Sequence, residues 1–250
     1  MTDFHRDFPR AAAAATGDMA LDAGLRSFMI GVYNKVALGL VLSGAIAYAT
    51  AGVPAVRDLL FVVDGAGRLR GMTVLGMVVA FAPLVILLGA AFALRNASPR
   101  STGILYWSIV SLIGASLGVL VLTYTGQSIA TTFFVTAAGF GALSLFGYTT
   151  KRDLSPIGSF LIVGVFGLII ASIVNMFLRS DAMAFVISAA GVLIFAGLIA
   201  YDTQRLKATY YELGADQAVR RVATNFGALT LYINFINLFQ FLLHFMGQRR

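Results

Sequence analysis

Asp202 is the clearest chemically active group in the chain, because it is an aspartate inside the apolar run LIAYDTQRL. An ionisable side chain in hydrocarbon costs several kcal/mol and is usually retained for a purpose. Counting from the start of its apolar segment at 182 puts it roughly 10 Å or less from one membrane surface, at 1.5 Å per helical residue. Two roles fit such an aspartate. It could cap the helix or pair with Arg205 on the same helix face, or it could face a helix bundle as an ion or proton site.

A second set of polar groups lies in TLYINFINLFQFLLHF, residues 230–245, as Asn234, Asn237, Gln240 and His244. At 100° per residue the last three fall within a sector of about 60°, with Asn234 about 60° beyond Asn237, so the four form one stripe. Asn234 lies roughly 12 Å into its segment, a depth similar to that of Asp202. The stripe has a structural reading, interhelical hydrogen bonds of about 0.6 kcal/mol each. Its functional reading is a wall of a hydrated path, in which Asn237, Gln240 and His244 are candidate pore-lining residues. One further pattern, GASLG at Gly114–Gly118, matches the GxSxG of serine hydrolases. That chemistry needs a strained strand-to-helix elbow, a base and an oxyanion hole, whereas Ser116 lies mid-segment and the two histidines, His5 and His244, lie near the ends of the chain. Small residues four apart are read instead as helix-packing positions, as are Gly164, Gly167 and Ala171. No catalytic residue and no enzymatic activity are expected.

The elements that must carry these groups are membrane helices. Hydrophobic residues make up 59% of the chain, charged residues 12%, and the mean hydropathy is +0.86, far beyond a soluble domain. Apolar stretches at 31–51, 72–94, 102–124, 128–148, 156–178, 182–204 and 226–247 each approach the ~20 residues needed to cross a bilayer. The expected class is an all-α integral membrane protein with seven transmembrane helices. Asn96, Ser98 and Pro99 separate the second and third spans, and Ser155 followed by Pro156 reads as an N-cap with proline at the first helical position of the fifth span. Residues 1–28 read as a cytoplasmic N-terminal tail and 29–250 as the seven-span membrane domain. The five alanines after Arg10 make too short an apolar core for a cleaved signal peptide. Residues 205–225 read as an interfacial helix against anionic lipid, and Lys35 as a snorkelling side chain that needs no partner.

Eleven of the lysines and arginines fall in the N-terminal tail and the loops on its side, against six on the other side. The positive-inside rule then places the N-terminus in the cytoplasm, and an odd number of spans places the C-terminus outside. Arg249 and Arg250 pull the other way, and a re-entrant last helix would accommodate them. This topology accounts for the net charge of +7, so nucleic acid is not an expected partner. The chain has no cysteine, which excludes disulfides, thiolate catalysis and Cys-ligated metals.

The runs SLFGYTTKRDLSPIGSFL, AYDTQ and GALTLYINFINLFQFLLHF, with the earlier FMIGVYNKVALGL, resemble the Bax inhibitor-1 (transmembrane Bax inhibitor motif) family, in its bacterial branch. The resemblance implies a bundle of helices around a central C-terminal helix, in the bacterial inner membrane. It also implies a pH-sensitive calcium leak governed by two aspartates that share a proton on the last two helices. Asp202 matches the first of the pair, but the second position holds Asn234, in YINF where the family pattern reads YLDF. A single carboxylate makes Asp202 a weak metal ligand, since calcium takes six to eight oxygens. Transient calcium is therefore expected, and no resident cofactor. Lipid and cations are the expected partners. The alternative implied by the resemblance is a regulatory protein acting on a membrane-bound ATP-dependent protease.

Overall fold

The computed structural model describes residues 8–65, 67–93, 97–214 and 216–250, with side chains described for 23–65, 67–90, 97–214 and 216–250. His5 and most of the N-terminal tail thus lie outside the residues whose side chains are described. Helix α1 spans Phe8–Gly52, α2 Pro54–Leu60, α3 Val74–Ala93, α4 Pro99–Thr123, α5 Gly126–Thr149, α6 Ser155–Leu178, α7 Asp181–Glu212 and α8 Gln217–Met246. A two-stranded antiparallel hairpin, β1 Phe61–Val63 and β2 Leu69–Met72, sits between α2 and α3. The protein is an all-α membrane bundle.

Among the described residues six helices are long and apolar enough to cross a bilayer, rather than the seven expected, and the apolar part of α3, Val74–Ala90, is shorter. Met72 belongs to β2, so the segment read as starting at 72 loses its first turn to the hairpin. Pro83 inside α3 has no N–H for the preceding turn, which weakens the helix there. The chain nevertheless returns through α3. α1 and α4 run parallel, with Lys35 beside Tyr106 and Thr50 beside Ala115, so α3 carries the backbone to the face from which α4 starts. That face bears Ser98, the loop after Thr149 and the turn after Glu212, and is called the basic face.

Helix ends are set by local chemistry. Ser98 caps α4 in a reciprocal box with Ser101. Thr125 caps α5, which leaves a turn of two residues between Thr123 and Gly126. The start of α6 differs from the sequence reading. Ser155 is its first residue, and Leu154 holds the N-cap position without a side-chain bond. The capping bond comes from one residue further back, where Asp153 Oδ1 accepts the Ser155 N–H at 2.9 Å. This bond holds the exposed Asp153 carboxyl below its ordinary pKa. The expected interfacial helix over 205–225 does not form. α7 continues to Glu212 and α8 starts at Gln217, so these residues extend two spanning helices beyond the apolar zone.

α8 is the central element. Of its apolar window 61% is buried, against 11% for α6, and it packs on α1, α4, α5 and α7. Tyr232, Leu231 and Leu243 are fully enclosed, while Phe160 and Phe177 of α6 expose about three quarters of their surface, as lipid-facing side chains do. Small residues permit the close crossings. A Cβ at Gly114 would strike the Ser43 backbone, one at Gly147 the Ala200 carbonyl, and one at Gly158 the Tyr201 ring. Gly167 is different, because a Cβ there would meet nothing, so it is not the packing residue the spacing suggested.

The last helix crosses the whole bundle instead of re-entering. Beyond it, Arg249 pairs with Tyr124 as an isolated bridge, Gln248 O accepts from Thr125 N–H at 3.1 Å, and Arg250 N–H donates to Thr123 O at 2.9 Å. The chain end is thereby fixed to the α4–α5 turn, opposite the basic face.

Candidate functional site

Asp202 and Asn234 are brought together. α7 and α8 run antiparallel, and the Asn234 Nδ2–H donates to Asp202 Oδ2 at 2.7 Å. Both are buried, at 7% and 5% exposure. Arg205 faces outward on the next turn, and Asp202 forms no ion pair with it. The carboxylate is thus hydrogen-bonded by an amide of the neighbouring helix, and Arg205 acts on it only from beyond ion-pair distance. A buried acid satisfied in this way is costly to leave alone and sensitive to what replaces its partner.

The other members of the stripe do not join it. Asn237 Nδ2–H donates at 2.9 Å to Ile233 O in its own helix. Gln240 is half-buried, and His244 is exposed with its ring edge-on to Tyr124 at 6.1 Å. An apolar cleft between α1, α4, α5 and α8 is walled by Phe235, Ile236 and Phe239 of the central helix rather than by its polar residues. The 100° periodicity puts Asn237, Gln240 and His244 on one sector of the helix, yet their neighbours give each a separate environment. Among the described residues no group of three or more Asp, Glu or His is placed to hold a metal ion.

Four of the five residues of AYDTQ have a contact that explains their type. Ala200 presents its carbonyl to Gly147, and Tyr201 lays its ring on Gly158. Gln204 fastens the α5–α6 loop, accepting from Leu154 N–H at 2.8 Å and donating to Arg152 O at 2.8 Å. Lys207, one turn on, donates to Tyr148 O at 3.1 Å and sits over the Tyr148 ring. Thr203 alone is unresolved by packing, since its hydroxyl is fully buried without a hydrogen-bond partner.

A second polar network was not anticipated. Lys35 does not snorkel alone. Its Nζ donates to Asn225 Oδ1 at 2.5 Å and lies 5.6 Å from the Tyr106 ring centre. Asn225 Nδ2–H donates in turn to Thr102 Oγ1 at 2.8 Å and to Pro99 O at 3.1 Å. Deeper in the bundle Tyr106 OH donates to Lys35 O at 2.6 Å, and Tyr232 and Ser43 share a hydroxyl bond at 2.5 Å. The available signal was that Lys35 is the one lysine or arginine inside an expected span, and Asn225 the polar residue immediately before another. The GASLG serine is also accounted for, because Ser116 Oγ–H donates to Ile113 O at 2.8 Å within α4.

Comparison with known sequences identifies the family of the chain. The family described as "Inhibitor of apoptosis-promoting Bax1" matches residues 25–250. An uncharacterised protein of Caulobacter vibrioides is 69% identical over 250 residues, covering 100% of both chains. An uncharacterised protein of Rickettsia prowazekii is 41% identical over 98% of this chain and 99% of its own. The inner membrane protein YbhL of Escherichia coli strain K12 is 41% identical over 91% of this chain and 94% of its own. The match takes in α8, the α7 motif and the loop that Gln204 fastens, and the chain belongs to the Bax inhibitor-1 family.

Proposed function

We propose that this protein is a passive cation leak of the bacterial inner membrane, with the Asp202–Asn234 pair as its gate and calcium among the ions that pass. The reading rests on one observation, a buried carboxylate bonded across α7 and α8 to an amide at 2.7 Å. Parting the two helices frees both a negative charge and an amide oxygen, the groups a hard cation recognises. With one carboxylate in place of two, binding is weak and passage is correspondingly unobstructed. The basic face lies in the cytoplasm, in keeping with the positive-inside rule, and the membrane is the one named for the Escherichia coli relative.

The test is calcium entry into liposomes that contain only the purified protein. Entry above that of protein-free liposomes, altered by Asp202→Asn, supports the reading. Impermeable liposomes overturn it. They favour instead a regulatory protein acting on a membrane-bound ATP-dependent protease, a role consistent with Asn237 being satisfied inside its own helix.

A further inference from the structure

α1 and α5 do not pack directly near the basic face, and between them lies an open cleft of about 450 Å³. Arg26 stands at its mouth beside Tyr148, while Tyr33 and Phe140 meet edge to face at its inner end, with ring centres 6.2 Å apart. The floor is Gly141, where a Cβ would meet nothing within 4 Å. Ser144 lines the middle, is only 5% exposed, and its hydroxyl has no hydrogen-bond partner. A helical serine ordinarily turns back to a carbonyl of the preceding turn. This one does not, so its donor is left for something outside the protein fold.

From these features we infer that the cleft is a specific site for an anionic glycerophospholipid. Arg26 is exposed and forms no ion pair among the described residues, and Lys207 lies behind Tyr148 at the same end. Ser144 lies one turn, about 5 Å, further in than Tyr148, and the aromatic rings lie deeper still. Cation, hydroxyl donor and apolar wall therefore follow the order of phosphate, ester carbonyl and acyl chain along the bilayer normal. The ester carbonyl accepts the Ser144 proton, which removes the cost of a buried unpaired hydroxyl. The acyl chain fills the space over Gly141. Ordinary boundary lipid needs neither the cation nor the hydroxyl.

Native mass spectrometry of the purified protein released from nanodiscs of equal phosphatidylglycerol and phosphatidylcholine reads the site directly. The parent should retain phosphatidylglycerol in preference. Arg26→Gln should lower that preference about fivefold, as expected for one interfacial cation. Ser144→Ala should reduce retention of both lipids while leaving their ratio unchanged, and Gly141→Leu, which fills open space, should abolish retention. An unchanged lipid ratio in Arg26→Gln, or an unchanged lipid count in Gly141→Leu, overturns the site. None of these readouts depends on ion flux.

Discussion

Lys35 and Asn225 are 190 residues apart in the chain and 2.5 Å apart in space. The contact ties the first spanning helix to the central one, and through Thr102 to α4. Because Asn225 is buried, replacing Lys35 by Met strands its Oδ1 without a donor. Lys35→Met should destabilise the protein by about 1–3 kcal/mol, the cost of an unmet buried acceptor. Lys35→Met combined with Asn225→Leu should cost less than the sum of the single changes. Thermal unfolding in detergent checks this, and strict additivity would show that the two side chains are not coupled.

Gly147 makes the contrasting prediction about packing. Its Cα faces the Ala200 carbonyl so closely that an added methyl must move α5 or α7, whereas Gly139 has open space around it. Gly147→Ala should therefore lower stability by about 1–3 kcal/mol. Gly139→Ala should be neutral, or stabilising by up to about 1 kcal/mol through helix propensity. Equal melting shifts for the two variants would contradict the α5–α7 crossing.

For the Asp202–Asn234 pair, the informative variant is Asn234→Asp. Two carboxylates at the distance of the present hydrogen bond cannot both ionise cheaply, so they should hold one proton between them. Calcium flux measured across a pH series should then follow a different curve from that of the parent. Asp202→Asn, which preserves size, should flatten the curve while leaving the melting temperature close to that of the parent. Superimposable curves for all three proteins would remove the pair from any gating role.

Asp153 offers a pH test away from the membrane interior. The Ser155 N–H bond depresses its pKa, so the cap is fully present at neutral pH and is lost as pH falls through the lowered value. Asp153→Ala should accelerate amide exchange at Ser155 relative to the parent at pH 7, and the ratio should approach unity in acid. A ratio independent of pH would mean that the carboxylate does not supply the cap.

Orientation can be read from single cysteines, since the chain has none of its own. Introduced at Ser98, Ser180 and Gln248, they should give protection at Ser98 and labelling at the other two when an impermeant reagent is added to intact cells. Labelling of Ser98 would invert the assignment.

Composition and apolar length were enough to specify a membrane helix bundle, because hydrocarbon demands those features of any chain that spans it. Residue depth permitted the meeting of Asp202 with Asn234, and the family resemblance implied it. The exceptions had local causes that hydropathy does not encode. The β1–β2 hairpin took Met72 from the second apolar stretch, and Asp153 rather than Ser155 proved to supply the capping bond of α6. The Lys35 network was illegible for a different reason. Its three helices are distant in sequence, and nothing in any one of them reports that their polar residues lie at a common depth.

The position of α8 at the centre has a consequence for biogenesis. This helix follows, in the chain, every helix it packs against. As synthesis proceeds from the N-terminus, α1, α4, α5 and α7 enter the bilayer before the element that fills their middle exists. Until then Lys35, Ser43 and Asp202 face a vacant interior with no Asn225, Tyr232 or Asn234 to receive them. The incomplete bundle therefore leaves unmet polar groups that the finished one satisfies through its last helix.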